Sequence, residues 1–149
     1  MSEIKDKLEN LLNDFITNTN IFDSSLITED GLVIVLNSNP DNEDEDVSYN
    51  FAAISASILS MAERGIEIIN NNKLLEQITI DTGIDHNFDN DITILITRIF
   101  SNVLLQIIFP KRINIGLIHF EINKIIKKIK SVIETDVSRE LFKSIGSLT

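Results

Sequence analysis

Polar side chains at alternate positions, Asp85-x-Asn87-x-Asp89-x-Asp91, are the first chemistry the chain offers. They have the 1, 3, 5, 7 spacing with which a calcium loop gathers oxygen ligands. The rest of such a loop is missing. Position 6 is Asn90, where the sharp turn wants Gly, and position 12 is Ile96, where a bidentate Glu closes the site. The stretch reads as a polar hairpin loop, with His86 exposed in it. Other reactive types are sparse. The absence of Cys rules out disulfides, thiolate zinc sites and Cys nucleophiles. His occurs only at 86 and 119, too few for a multi-His metal centre. The Gly at 31, 65, 83, 116 and 146 fit neither phosphate-cradling spacing, GxGxxG or GxxxxGK. A catalytic His119 would need a nucleophile and an orienting carboxylate that no motif supplies. Arg64 invites the role of an arginine finger, but Glu67, three residues on, offers it an ordinary surface ion pair. No catalytic residue, metal ligand or cofactor-binding residue is assigned, and no cofactor is expected.

The elements that would position any site must fit in 149 residues, enough for one domain, with 43% apolar and 24% charged side chains. A net charge of -10 repels phosphate backbones and anionic surfaces in general, so nucleic-acid binding is not expected. The charge is uneven. Asp41, Glu43, Asp44, Glu45 and Asp46 form an acidic run, and Lys124, Lys127, Lys128 and Lys130 a basic stripe. The stripe reads as a solvated helix face, with an acidic partner as the alternative. No apolar run approaches the ~18 residues of a membrane span. Residues 1–10 carry no signal-peptide core and neither end a lipidation motif, so a cytoplasmic location without stable membrane insertion is expected.

Ile4, Leu8, Leu11 and Phe15 form one helical stripe that ends near Asn18 to Asn20. Residues 21–28 and 32–37 are β-rich and flank Glu29-Asp30-Gly31, a tight-turn signal. Residues 38–48 read as an exposed, mobile loop. Residues 49–70 read as a second helix, whose apolar arc of roughly 200° exceeds the roughly 100° needed to lie on one sheet. That arc holds Phe51, Ala52, Ile54, Ile58, Leu59, Met61, Ala62, Gly65, Ile66, Ile68 and Ile69. The remainder needs a second cover. The other face carries Ala53, Ala56, Ser57, Ser60, Glu63, Arg64 and Glu67, small enough to allow close approach. Strands follow at 74–82, 92–100 and 103–109, the last two joined by Ser101-Asn102. Pro110 ends the last strand, and Asn114 caps a final helix striped by Ile118, Ile122, Ile125 and Ile129. Beyond Glu134 a short amphipathic tail, 135–149, must dock or fray. The fold class is an α/β sandwich on a five-stranded, mainly antiparallel sheet, in the order α-β-β-α-β-β-β-α.

That order, the hairpin Leu-Ile-Thr-Glu-Asp-Gly-Leu-Val-Ile (26–34) and the helix Ala-Ala-Ile-Ser-Ala-Ser-Ile-Leu-Ser-Met-Ala-Glu-Arg (52–64) resemble the Roadblock/dynein light chain domain. Leu-Glu-Gln-Ile-Thr-Ile-Asp (75–81) and Pro-Lys-Arg-Ile-Asn-Ile-Gly-Leu-Ile (110–118) are similar to further parts of it. The resemblance places a Roadblock-type domain at 1–134, with helices on both faces of the sheet. It implies a non-catalytic module that is at most a regulator of GTPase activity. Such modules pair with themselves or with a second Roadblock protein, the middle helices side by side and the following strands edge to edge. The expected interface residues are Ala52, Leu59, Ile66, Gln77, Thr79 and Asp81. A small Ras-like GTPase is the implied partner, and Ala53, Ala56, Ser57, Ser60, Glu63, Arg64 and Glu67 are its candidate contacts. Family members act by holding or reshaping the GTPase, so the resemblance argues against a catalytic Arg64. The sequence departs from the family pattern in long loops at 38–47 and 83–91 and in the 135–149 tail. Rival functions are a small-molecule sensor domain and a structural light-chain subunit of a larger assembly.

Overall fold

The computed structural model describes residues 2–19, 21–38, 45–70, 75–83, 91–100 and 102–147. Its elements are α1 (Ser2–Thr19), β1 (Asp23–Thr28), β2 (Val33–Ser38), α2 (Glu45–Ile69), β3 (Gln77–Asp81), β4 (Ile92–Phe100), β5 (Val103–Pro110) and α3 (Ile115–Ser147). The expected order is present. All five strands form one sheet, ordered β2-β1-β5-β4-β3, and every neighbouring pair is antiparallel. Among the described residues no helix is long and apolar enough to cross a membrane.

The two sheet faces follow from strand alternation. In β4, Leu95 and Ile99 point to one face, and Ile94 and Ile96 to the other. Leu12, Phe15 and Ile16 of α1, with Ile118, Ile122, Ile125 and Ile129 of α3, cover the first face together with Leu105, Ile107 and Phe109 of β5. α2 covers the second, where Ala52 and Leu59 meet Ile27, Ile94, Ile96 and Leu104. A strand buried on both sides, as the sequence predicts for β5, is therefore sandwiched between helix layers.

The β1–β2 turn uses Gly31 as the Asp-Gly signal predicts, with φ +88°. A Cβ there would also lie 2.9 Å from Ala53 Cα, so the glycine lets the turn press against α2. Asn114 caps α3, its Oδ1 accepting from the backbone N–H of Gly116 at 2.9 Å and of Leu117 at 3.3 Å. Two segments differ from the sequence reading. α2 begins at Glu45, so residues 45–48 are helical where a loop extending to 48 was expected. Acidic residues suit a helix N-terminus, whose dipole favours negative charge. α3 runs on through 135–147 instead of ending near Glu134. Between Gly116 and Gly146 it contains no Pro or Gly. Asp85, His86, Asn87 and Asp89 lie outside the described residues, as does the acidic stretch 39–44.

One polar pair is buried between α2 and the sheet. Ser55 Oγ donates to Gln106 Oε1 at 2.5 Å, while Gln106 Nε2 is enclosed without a hydrogen-bond partner. Ser55→Ala therefore removes the only hydrogen-bond partner that the buried amide has among the described residues and is expected to destabilise by about 1–3 kcal/mol. Adding Gln106→Leu should recover most of that loss. Urea denaturation of the two variants tests the pair: no recovery would mean the amide makes other essential bonds.

Candidate functional site

The 25-residue α2 is about 37 Å long, while five strands span only about 20 Å between the outer pair. Its chain enters from edge strand β2 and leaves to the opposite edge strand β3, so the helix crosses the whole sheet and its last turn overhangs. Ile68 and Ile69 there are 87% and 86% exposed. The apolar arc divides accordingly. Ala52, Ser55, Ala56 and Leu59 are buried on the chain's own sheet side. Ile54, Met61 and Ile68 face outward, with half-buried Ile58 and exposed Gly65 between them. Positions 54, 58, 61, 65 and 68 step by four and three, the spacing of a coiled-coil seam. An added Cβ at Gly65 would meet nothing within 4 Å, so the described part of the chain gives no reason for a glycine there. A mid-helix Gly costs about 1 kcal/mol relative to Ala.

The sheet ends at β3. Thr82 N–H donates to Ile92 O and Arg98 N–H to Glu76 O, which sets the ladder's phase. Antiparallel residues alternate in the direction of their amides. The backbone groups of Gln77, Thr79 and Asp81 consequently point to the open edge. Their side chains are exposed on the α3 side, and Asp81 Oδ1 accepts from Thr93 Oγ1 at 2.7 Å. Ile78 and Ile80 are half-buried on the α2 side.

The other flank of α2 meets the β1–β2 turn. Glu29 and Asp30 from the turn, with Ala56, Ser57, Ser60, Met61 and Arg64, line an open depression of about 270 Å³. Arg98 pairs with one of its lining residues, Glu29. This side chain, 8% exposed, pairs with Glu29 and Glu63 and donates Nε–H to Leu75 O at 3.0 Å. One guanidinium thus joins the turn, α2 and the segment leading to β3. The sequence reading passed over Arg98, although it is the one charged residue in Ile92–Phe100. A lone cation in an apolar strand signals a built-in counter-charge, because a buried charge persists only when paired.

The expected site residues separate on this geometry. Ala52 and Leu59, at 0% and 2% exposure, are spent on the chain's own core; exposed Ile54, Met61 and Ile68 take the outward positions. Ile66 is half-buried. On the other face Ala53, Ser57, Ser60, Arg64 and Glu67 are exposed. Ala56 is 4% exposed beneath Gly31, and Glu63 is engaged by Arg98. His119 is half-buried on α3. Among the described residues no group of three or more His, Asp or Glu side chains is placed to hold a metal ion.

No protein-family model and no curated protein matches the chain. Solved structures do match its fold. The gliding protein MglB of Thermus thermophilus is 11% identical, covering 89% of this chain and 92% of its own, with a TM-score of 0.72. MglB of Myxococcus xanthus is 18% identical over 87% and 90%, with a TM-score of 0.70. A Roadblock/LC7 domain of Streptomyces avermitilis is 12% identical over 85% and 97%, also with a TM-score of 0.70. At such identities the likeness is one of fold: the chain has the Roadblock/LC7 fold.

Proposed function

We propose that this chain is a non-catalytic, cytoplasmic module that pairs through α2 and the β3 edge and presents the paired helices to a small Ras-like GTPase. The observation that carries the reading is the second apolar seam on α2, Ile54-Ile58-Met61-Gly65-Ile68, together with a strand edge, that of β3, which pairs with no further strand among the described residues. Both are liabilities in an isolated chain. Exposed apolar stripes drive association, and open edges recruit strands. A second copy, or a second chain of the same fold, would satisfy both in one step about a two-fold axis. Thr79 would then sit near the axis, with Gln77 opposite the partner's Asp81. Gly65 would let the two helices approach closely.

Pairing would set two depressions side by side, each with Ser57, Ser60 and Arg64 on α2 and Glu29 and Asp30 on the turn. Such a face is open and lacks a nucleophile with a base, so it suits holding a partner rather than transforming a substrate. Residues 1–134 would form the module and 135–149 an appendage to it.

Capture of small GTPases from a lysate of the source cells, loaded with GDP or with a non-hydrolysable GTP analogue, tests the partner. Nucleotide-dependent capture is the expected result; retention of no GTPase in either state would overturn the reading. Ser60→Arg places a long cation in the depression and is expected to weaken that capture at least about tenfold, or 1.4 kcal/mol. Ser60 is exposed, so the variant should melt with the parent. Unchanged affinity would remove this flank of α2 from the contact.

A further inference from the structure

We propose that the outer ridge of α3 docks on an anionic membrane surface. Leu117 and Phe120 are 57% and 60% exposed on this ridge, and Lys124, Lys127 and Lys128 continue the same face of the helix, all three exposed. Lys124 Nζ lies 5.4 Å from the centre of the Phe120 ring. Exposed Arg112 stands just before the helix. The acidic groups near the ridge lie on its flanks. Glu121 is 3.9 Å from Lys124 on the side facing α1, Asp14 lies across the groove between α1 and α3, Glu76 shares the opposite groove with Lys127 and Lys130, and Glu134 follows the lysines.

This basic ridge stands on a chain of net charge -10, so its sign is a local feature. Salt screens exposed charges beyond about 10 Å, and a surface in contact with the ridge responds to the ridge. Its composition selects the occupant. Grooves run along both flanks, one against α1 that Lys124 and Lys128 help to line and one against β3 and β4 that Lys127 helps to line, and Leu117 and Phe120 line neither. Exposed cations beside two exposed apolar tips give one helix face both positive charge and apolar side chains. Anionic headgroups need only nearby cations, and the acyl boundary accepts Leu and Phe side chains. α3 also covers the sheet face opposite to α2. The membrane contact and the α2 surface would therefore point in opposite directions, and neither would obstruct the other.

The test is co-sedimentation of the full chain with vesicles of phosphatidylcholine alone or with about 30% phosphatidylserine, an anionic surface of physiological kind. It needs neither a GTPase nor a dimer, so its failure is separate from failure of the proposed function. Binding to the anionic vesicles only, weakening with salt, is expected. Lys124→Glu with Lys128→Glu should reduce it at least about tenfold, since each cation near such a surface contributes about fivefold. Phe120→Ser should reduce it severalfold, with the circular dichroism of both variants unchanged. No binding to the anionic vesicles at low salt would overturn the proposal, as would binding that survives loss of the two lysines. Indifference to vesicles together with lysine-dependent binding of poly-glutamate would assign the ridge to an acidic protein instead.

Discussion

Met61→Glu is expected to split the paired module into single chains. Met61 is 71% exposed in the chain itself, so its replacement costs the monomer almost nothing. In the proposed pair it lies mid-seam, between Ile58 and Gly65. Two carboxylates facing one another across a dry two-fold contact repel by several kcal/mol and lose their water as well. A cost of about 4 kcal/mol raises the dissociation constant about a thousandfold. Sedimentation equilibrium reads the change directly: two chains for the parent, one for the variant, with the same melting temperature for the variant at high dilution. Gly65→Leu is the stricter companion. It raises helix propensity by about 1 kcal/mol, so the single chain should be no less stable, yet its side chain would obstruct close approach of a second helix. A parent that sediments as one chain at every concentration would overturn self-pairing, and a Met61→Glu chain that still pairs would place the interface elsewhere.

Arg98→Met is expected to cost about 2–4 kcal/mol of folding stability, which for a chain this long lowers the melting temperature by roughly 4–16 °C. The side chain is almost fully enclosed, whereas its partners Glu63 and Glu29 are 22% and 41% exposed. Glu63 contributes more of the effect because it is drier, and solvent screens the pairing with Glu29. Methionine keeps much of the volume but leaves two carboxylates facing an empty position and Leu75 O without its donor. Adding Glu63→Gln and Glu29→Gln should return a large part of the loss, because removing both sides of an ion pair costs less than stranding one. Thermal melts of the single and triple variants measure both steps. A single variant within 0.5 kcal/mol of the parent, the scatter of ordinary surface changes, would show that Arg98 does not hold the turn to α2.

Much of the architecture was legible because single residues carried unambiguous local signals. Gly31 had to supply a positive φ at the turn, Asn114 had to cap α3, and the alternation in 92–100 had to divide Leu95 from Ile94 and Ile96. Helix ends were less legible. The first turn of α2 looked like loop because an acidic run with Pro40 dominates composition, although Glu45 and Asp46 are good residues with which to begin a helix. The extent of α3 past Glu134 was missed because a weak amphipathic stripe resembles a separate element when nothing marks continuity.

The candidate site was half legible. An apolar arc wider than one sheet requires announces a second contact, but it does not say which residues serve which side. Ala52 and Leu59 lie on the same arc as Met61 and Ile54, and only the placement of the sheet beneath α2 separates them. Ala56 was indistinguishable from Ser60 until Gly31 was seen to cover it. Arg98 carried a signal, a lone charge in an apolar strand, but its two acidic partners are 35 and 69 residues away in sequence.

By itself the sequence determined the number, kind and order of the elements, which faces must be buried, and the absence of thiol chemistry, because local backbone preferences and hydrophobic periodicity act over a few residues. Tertiary structure decided which part of α2 remains exposed, which strand lies at the open edge, and which charges meet at Arg98. Those outcomes depend on contacts between segments far apart in the chain. Their geometry arises when β5 settles between β1 and β4 and α2 must cross the whole sheet to reach β3.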